Sequence, residues 1–201
     1  MIAAPTVFQR LDKTALHRWS MTIGLLVAVA GCYQGTARSV SLAEIAHQPG
    51  WQLVDHVDLV RQDGMHDCGP AALAMVLGRW GYPGAAPEIR RAVGATKPAG
   101  VAAGKLRDFA RGKGLQAFLI SGVDGDLERE IASDRPVLVG LVQRYSGNRA
   151  YAHYEVVVGI NQQRRRVLLL DPGRGPREDD LGAFEREWIG AARLTLVVAP
   201  A

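Results

Sequence analysis

Cys68 is the residue of this sequence best placed to act as a nucleophile. It lies in Gln62-Asp63-Gly64-Met65-His66-Asp67-Cys68-Gly69-Pro70-Ala71-Ala72-Leu73, where a helix-forming run begins. The unpaired N–H groups and dipole at a helix start favour an anion, so they lower a thiol's pKa, and the thiolate is the reactive form. Gln62 stands six residues earlier. Its side-chain N–H₂ can point at a carbonyl oxygen that is becoming an oxyanion, with the backbone N–H of Cys68 as the second donor. Gly69 is expected to leave room for a substrate backbone. Asp67 reads as the cap of the helix rather than a catalytic group, and His66 as a loop residue.

A thiol of this kind also needs a base. The histidines are His17, His47, His56, His66 and His153. The first three precede the Gln62–Cys68 segment, and His66 is too near Cys68 in sequence to face it across a cleft. His153 opens a predicted strand, HYEVVVGI, and Asp171 closes the next one in LLLDPG. If 153–160 and 166–171 form a hairpin, the start of one strand lies beside the end of the other. Asp171 then accepts the ring N–H of His153 and fixes its tautomer.

The elements that must position these residues follow from punctuation and periodicity. Residues 68–80 carry Ala, Leu and Met, with Pro70 near the start and Gly81 after the end, which predicts a helix. Shorter helices are expected over 87–93, 103–112, 126–133 and 181–188. Strands are expected over 115–120, 137–143, 153–160, 166–170 and 193–198, the last four rich in Val and Leu. Helices dominate the first half and strands the second, without βαβ alternation. That order predicts an α+β domain in which a helical half packs on an antiparallel sheet.

Taken together, Gln62, Asp67-Cys68-Gly69, the Ala-Leu-Ala-Met helix, His153-Tyr154 and Asp171-Pro172 resemble the bacteriocin-processing, double-glycine leader cysteine peptidases. The resemblance covers about residues 55–200, with Gln, Cys, His and Asp in the family's order. It implies a papain-like fold and cleavage of a leader peptide after a Gly-Gly pair, with Cys68 as nucleophile, His153 as base, Asp171 as orienting group and Gln62 in the oxyanion hole. It further implies a double-glycine precursor as substrate and an export system as partner. The same residue set would serve a papain-like acyl transferase, and relatives that lack the nucleophile hold leader peptides without cutting them. The presence of Cys68 argues for catalysis here.

Ahead of this domain, Arg10, Lys13, His17 and Arg18 precede the uncharged run Met21–Gly31, MTIGLLVAVAG. A run this short falls below the roughly 20 apolar residues of a permanent span and reads as a signal-peptide core. Its end, Val29-Ala30-Gly31-Cys32, resembles the lipobox of bacterial lipoproteins. That implies a lipid on Cys32 and a domain anchored in the cell envelope outside the cytoplasm. Tyr33 and Gln34 follow Cys32 where an Asp would favour inner-membrane retention, so outer-membrane delivery is expected. The predicted organisation is a signal over 1–31, a tether over 32–52 and a peptidase domain over 53–201 that stands alone, without a fused transporter. Family members linked to exporters work in the cytoplasm, and this sequence departs from them there.

Composition excludes other classes. Hydrophobic residues make up 48% of 201 and the net charge is +4, so a packed core is expected and no nucleic-acid stripe is present. Arg164, Arg165 and Arg166 fit a solvated turn. No histidine pair at helical spacing and no Cys-x-x-Cys occurs, so neither metal nor cofactor is expected.

Overall fold

The structure, a computed structural model, describes residues 32–94, 100–123 and 125–201; the signal expected over 1–31 lies outside the described residues. In chain order the elements are β1 (Arg38–Ser39), α1 (Leu42–Ala46), β2 (Gln52–Leu53), α2 (Cys68–Arg79), α3 (Ala86–Val93), α4 (Ala103–Gly112), β3 (Gln116–Ser121), α5 (Asp126–Ala132), β4 (Val137–Tyr145), β5 (Arg149–Asn161), β6 (Arg166–Asp171), β7 (Gly175–Asp180), α6 (Leu181–Gly190) and β8 (Leu194–Ala199). The sheet runs β1-β7-β6-β5-β4-β8-β3 with β2 added on β5, and every pairing is antiparallel. The α+β expectation stands. Among the described residues no helix is long and apolar enough to cross a membrane.

Alternation along the strands sorts their side chains into two cores. Leu138, Val156 and Leu170 pack with α2, α3 and α4, while Val137, Val139, Val157 and Leu169 pack with α5 and α6. Helices therefore cover both faces of the sheet. The helix that starts at Cys68 is the centre of the first core: every residue from Cys68 to Leu77 is buried. A helix apolar on all sides has to be enclosed, and each large side chain so buried contributes roughly 1.5–3 kcal/mol. Gly81, at φ +88, carries the chain away from the end of that helix. Enclosure on this scale fixes Cys68 to the rigid part of the molecule.

Three departures from the sequence reading bear on the site. Strands β4 and β5 are longer than expected, so His153 is the fifth residue of its strand rather than the first. Strand β7 was not expected at all, because GPREDD has no apolar alternation; its charged residues are buried in pairs instead. The segment read as a tether over 32–52 is laid onto the domain. Gln34 N–H donates to the Arg144 carbonyl, Arg38 pairs with Glu178, and Ile45 is 1% exposed in the same core as Leu73. Two-residue strands have no period to read, and one buried isoleucine leaves no pattern.

Candidate active site

The backbone brings Cys68 and His153 together from two directions. Cys68 opens α2 and lines one cleft with His153, and the His153 ring and the backbone N–H groups of Gly69 and Tyr154 are the groups that act on its thiol. In the register of β5 with β6, Val156 faces Leu170. Asp171 therefore stands opposite Glu155, two residues along from His153 on the same face. His153 Nε2 lies 2.9 Å from Asp171 Oδ1. Asp171 thus holds one ring nitrogen and leaves Nδ1 for the sulfur. The hairpin expected from sequence joins the same two residues, with the strand ends directly side by side rather than offset.

Electrostatics favour the charged forms of both reacting groups. Burial favours the neutral thiol, but the hydrogen bond and charge of His153, with the two N–H groups, outweigh it and lower the Cys68 pKa. Burial likewise opposes a charged imidazole, yet Asp171, Cys68 and the Glu155 charge push His153 up to about 10. For Asp171, burial is overcome by His153 and Arg174, which hold the carboxyl far below the usual range. Both shifts favour a thiolate facing an imidazolium.

Behind His153 lies a buried polar network that the sequence reading missed. Gln143 Nε2 donates to Glu155 Oε1 at 2.6 Å, and Arg177 Nε donates to Glu155 Oε2 at 2.6 Å. Arg174 Nε donates to Asp171 Oδ2 at 2.6 Å and its Nη2 to Gln143 Oε1 at 2.7 Å. Glu155 Oε1 lies 3.9 Å from His153 Nε2. A signal was available: Glu155 is a lone acid inside the run HYEVVVGI, on the strand face shared by Val157, and a charge at a core position requires a partner. His153, Glu155 and Asp171 offer three ligand atoms within 4.8 Å of one another. The positive charge that two carboxylates call for is already supplied there by Arg174 and Arg177.

The remaining expected site residues divide. Gln62 lines the cleft with Cys68 and His153. Its backbone N–H donates to the Pro172 carbonyl, which ties the Gln62 segment to the Asp171 loop. One side-chain N–H donates to the Gly64 carbonyl at 2.9 Å, leaving the second for another acceptor, and Oε1 is buried without a partner. Gly69 is packed closely against the core. A Cβ there would meet the Tyr154 ring at 3.2 Å and Leu106 at 3.3 Å, so the missing side chain makes room for core packing. Asp67 occupies the cap position without a capping hydrogen bond and pairs with Arg90 at 3.1 Å instead. His66 lies on the cleft wall. The cleft is about 800 Å³ and also takes Met65, Tyr151 and Arg149 into its wall, Met65 being 83% exposed. Cys32, the expected lipidation site, is exposed and hydrogen-bonded through its backbone to Ser146, in the turn between β4 and β5.

The model of the peptidase C39 family matches residues 56–201. The peptidase domain of Streptococcus ComA, a bi-functional ABC transporter of a quorum-sensing pathway, is similar in structure with a TM-score of 0.59 and 25% identity; the alignment covers 73% of this chain and 100% of that one. A double-glycine-motif protease from an AMS/PCAT transporter, solved with its leader peptide, aligns with a TM-score of 0.56 at 22% identity over 73% and 93% of the two chains. A C39-like peptidase from Bacillus anthracis aligns with a TM-score of 0.61 at 15% identity over 74% and 97%. The last two speak to the fold alone. No match is found among curated proteins.

Proposed function

This chain belongs to the peptidase C39 family, and from that membership we propose that it is a cysteine peptidase cutting a peptide substrate after a Gly-Gly pair. In this reading the Cys68 thiolate attacks the scissile carbonyl, and the oxyanion is held by Gln62 Nε2 and the Cys68 N–H. His153 delivers its proton to the leaving amine and then takes one from the water that resolves the acyl-enzyme, with Asp171 keeping the ring aligned. The observation that carries the reading is the meeting of Cys68 and His153 on one cleft, with His153 already gripped by Asp171. Met65 and Tyr151, apolar and exposed on the cleft wall, suit hydrophobic residues of a leader. A partner that presents and exports the released peptide follows from the same reading.

The test incubates the purified protein with a synthetic Gly-Gly leader peptide and reads product masses. Cys68→Ala is expected to lower cleavage by at least about 10³-fold with thermal unfolding unchanged. A variant that still cuts would end the reading. Cleavage should rise with pH as Cys68 ionises below its ordinary value, and should decline as pH nears about 10, where His153 loses its proton.

We also propose that Cys32 carries a lipid that holds the domain on a membrane outside the cytoplasm, in the outer membrane given Tyr33 and Gln34 after it. The hydrogen bonds of Cys32 to Ser146 support an anchor at the hairpin that carries Arg149 and Tyr151, close to the cleft. Metabolic labelling with an alkynyl fatty acid should mark the protein and be lost in Cys32→Ser. Labelling that persists in that variant would refute the site.

A further inference from the structure

Tyr33 is not part of the cleft wall, yet it lies against both arginines that hold the carboxylates behind His153. Its ring centroid is 4.6 Å from Arg174 Cζ and 5.6 Å from Arg177 Cζ. Its hydroxyl accepts from Arg177 Nη1 at 3.1 Å and donates to Glu187 of α6. Backbone contacts fix the ring in place: Tyr33 bridges to Tyr145, with Cys32 and Gln34 hydrogen-bonded to Ser146 and Arg144 on either side. The phenol folds back over its own chain at Gly35. A Cβ on Gly35 would stand 2.0 Å from the Tyr33 oxygen and 2.2 Å from Cζ, so the ring takes this position only above a glycine.

We propose that Tyr33 is a positioning residue for the catalytic centre. It locks Arg174 and Arg177 in the poses that hold Asp171 and Glu155 behind the imidazole, and Gly35 is what admits it. The inference rests on the reading that Cys68 and His153 do the chemistry. Arginine has a long side chain with many rotamers to lose, and an aromatic face offsets part of that loss by cation–π attraction. The point matters most for Arg174, whose side chain is 35% exposed and stands at the cleft. Without the ring, Arg174 is free to leave Asp171 for solvent. Asp171 would then keep His153 and the N–H groups of Gly173 and Arg174, while Glu155 would keep Gln143 and a looser Arg177. Less compensated carboxylates make the field at the imidazole more negative, and the thiol loses its proton at higher pH. The residues read as a spacer between signal and domain thus belong to the working site.

The experiment makes two measurements on the full chain in detergent. One is the pH profile of Cys68 alkylation by iodoacetamide, which needs no peptide; the other is kcat and KM on a Gly-Gly leader peptide. Tyr33→Ala is expected to lower kcat about tenfold with KM within about twofold, and to raise the acid limb of alkylation by about half a pH unit. Gly35→Ala, which displaces the ring without removing it, should do the same and serves if Tyr33→Ala does not fold. Tyr33→Phe keeps the platform and should stay within about threefold of the parent. An alkylation profile unmoved in both alanine variants overturns the inference, whatever happens to melting temperature. So does a Phe variant as impaired as Ala. If the parent cuts no leader peptide but the profile still shifts, the substrate reading fails and the role of Tyr33 stands.

Discussion

The central strands β5 and β6 have two ends that are equally buried and stabilised in opposite ways. At one end, Val157, Ile160, Val167 and Leu169 are apolar and pack against α5 and α6. At the other, on the same face, Glu155, Asp171 and the neighbouring Gln143 and Arg177 are 0 to 2% exposed. Burial itself stabilises the first end. At the second end burial is a cost, and only complete pairing offsets it. The apolar end holds the strands in register; the polar end uses that register to place charges behind His153.

The largest effect that distinguishes them comes from stranding a charge. Arg177→Ala leaves Glu155 without its guanidinium in a site closed to water, and the expected loss is about 3–5 kcal/mol in urea unfolding. Leu169→Ala at the apolar end is expected to cost about 2–5 kcal/mol through transfer and cavity terms. The sizes overlap, so the comparison is sharpened by a double change. Adding Glu155→Leu to Arg177→Met removes both charges, and most of the stability should return, while no second substitution of that sort repairs Leu169→Ala. If the double variant is as unstable as Arg177→Ala, the polar end is not held by pairing and the contrast fails.

The same contrast explains what was legible in the sequence. The apolar end announces itself: VLVGLV, EVVVGI and RVLLL read as strands, and CGPAALAMVLGRW reads as a helix, so the element that carries Cys68 and the fold class follow from pattern. His153 and Asp171 were found because both flank apolar runs. The rest was not legible because its logic is pairwise across the sheet. GPREDD gives no alternation, and only the register Leu169 opposite Arg177 brings Arg177 onto the face of Glu155. Tyr33 depends on a contact spanning 144 residues to Arg177 and on a glycine two positions on. The packing at Gly69 was illegible for a related reason, since a bare glycine after Cys68 says that something comes close and not what. Here it is Tyr154 and Leu106.

A last, smaller effect tests whether burial, and not pairing alone, sets these magnitudes. Arg38 bonds Glu178 through Nε and Nη2 at 3.1 and 2.7 Å, geometry as good as that of Arg177 with Glu155. Yet the Arg38 side chain is 67% exposed, and Glu178 keeps Arg166 Nε at 2.7 Å when Arg38 is gone. Burial raises the Glu178 pKa, but Arg166 and Arg38 outweigh it, so Arg166 alone should hold the carboxylate ionised at neutral pH. Arg38→Ala is therefore expected to cost less than about 1 kcal/mol. Because the Debye length falls to about 3 Å in 1 M salt, the deficit should shrink there, while that of Arg177→Ala should persist. Urea unfolding of both variants in low and high salt measures the difference. Equal, salt-independent losses would mean that the exposed edge and the closed interior value an ion pair alike, and the comparison between the two ends would lose its physical basis.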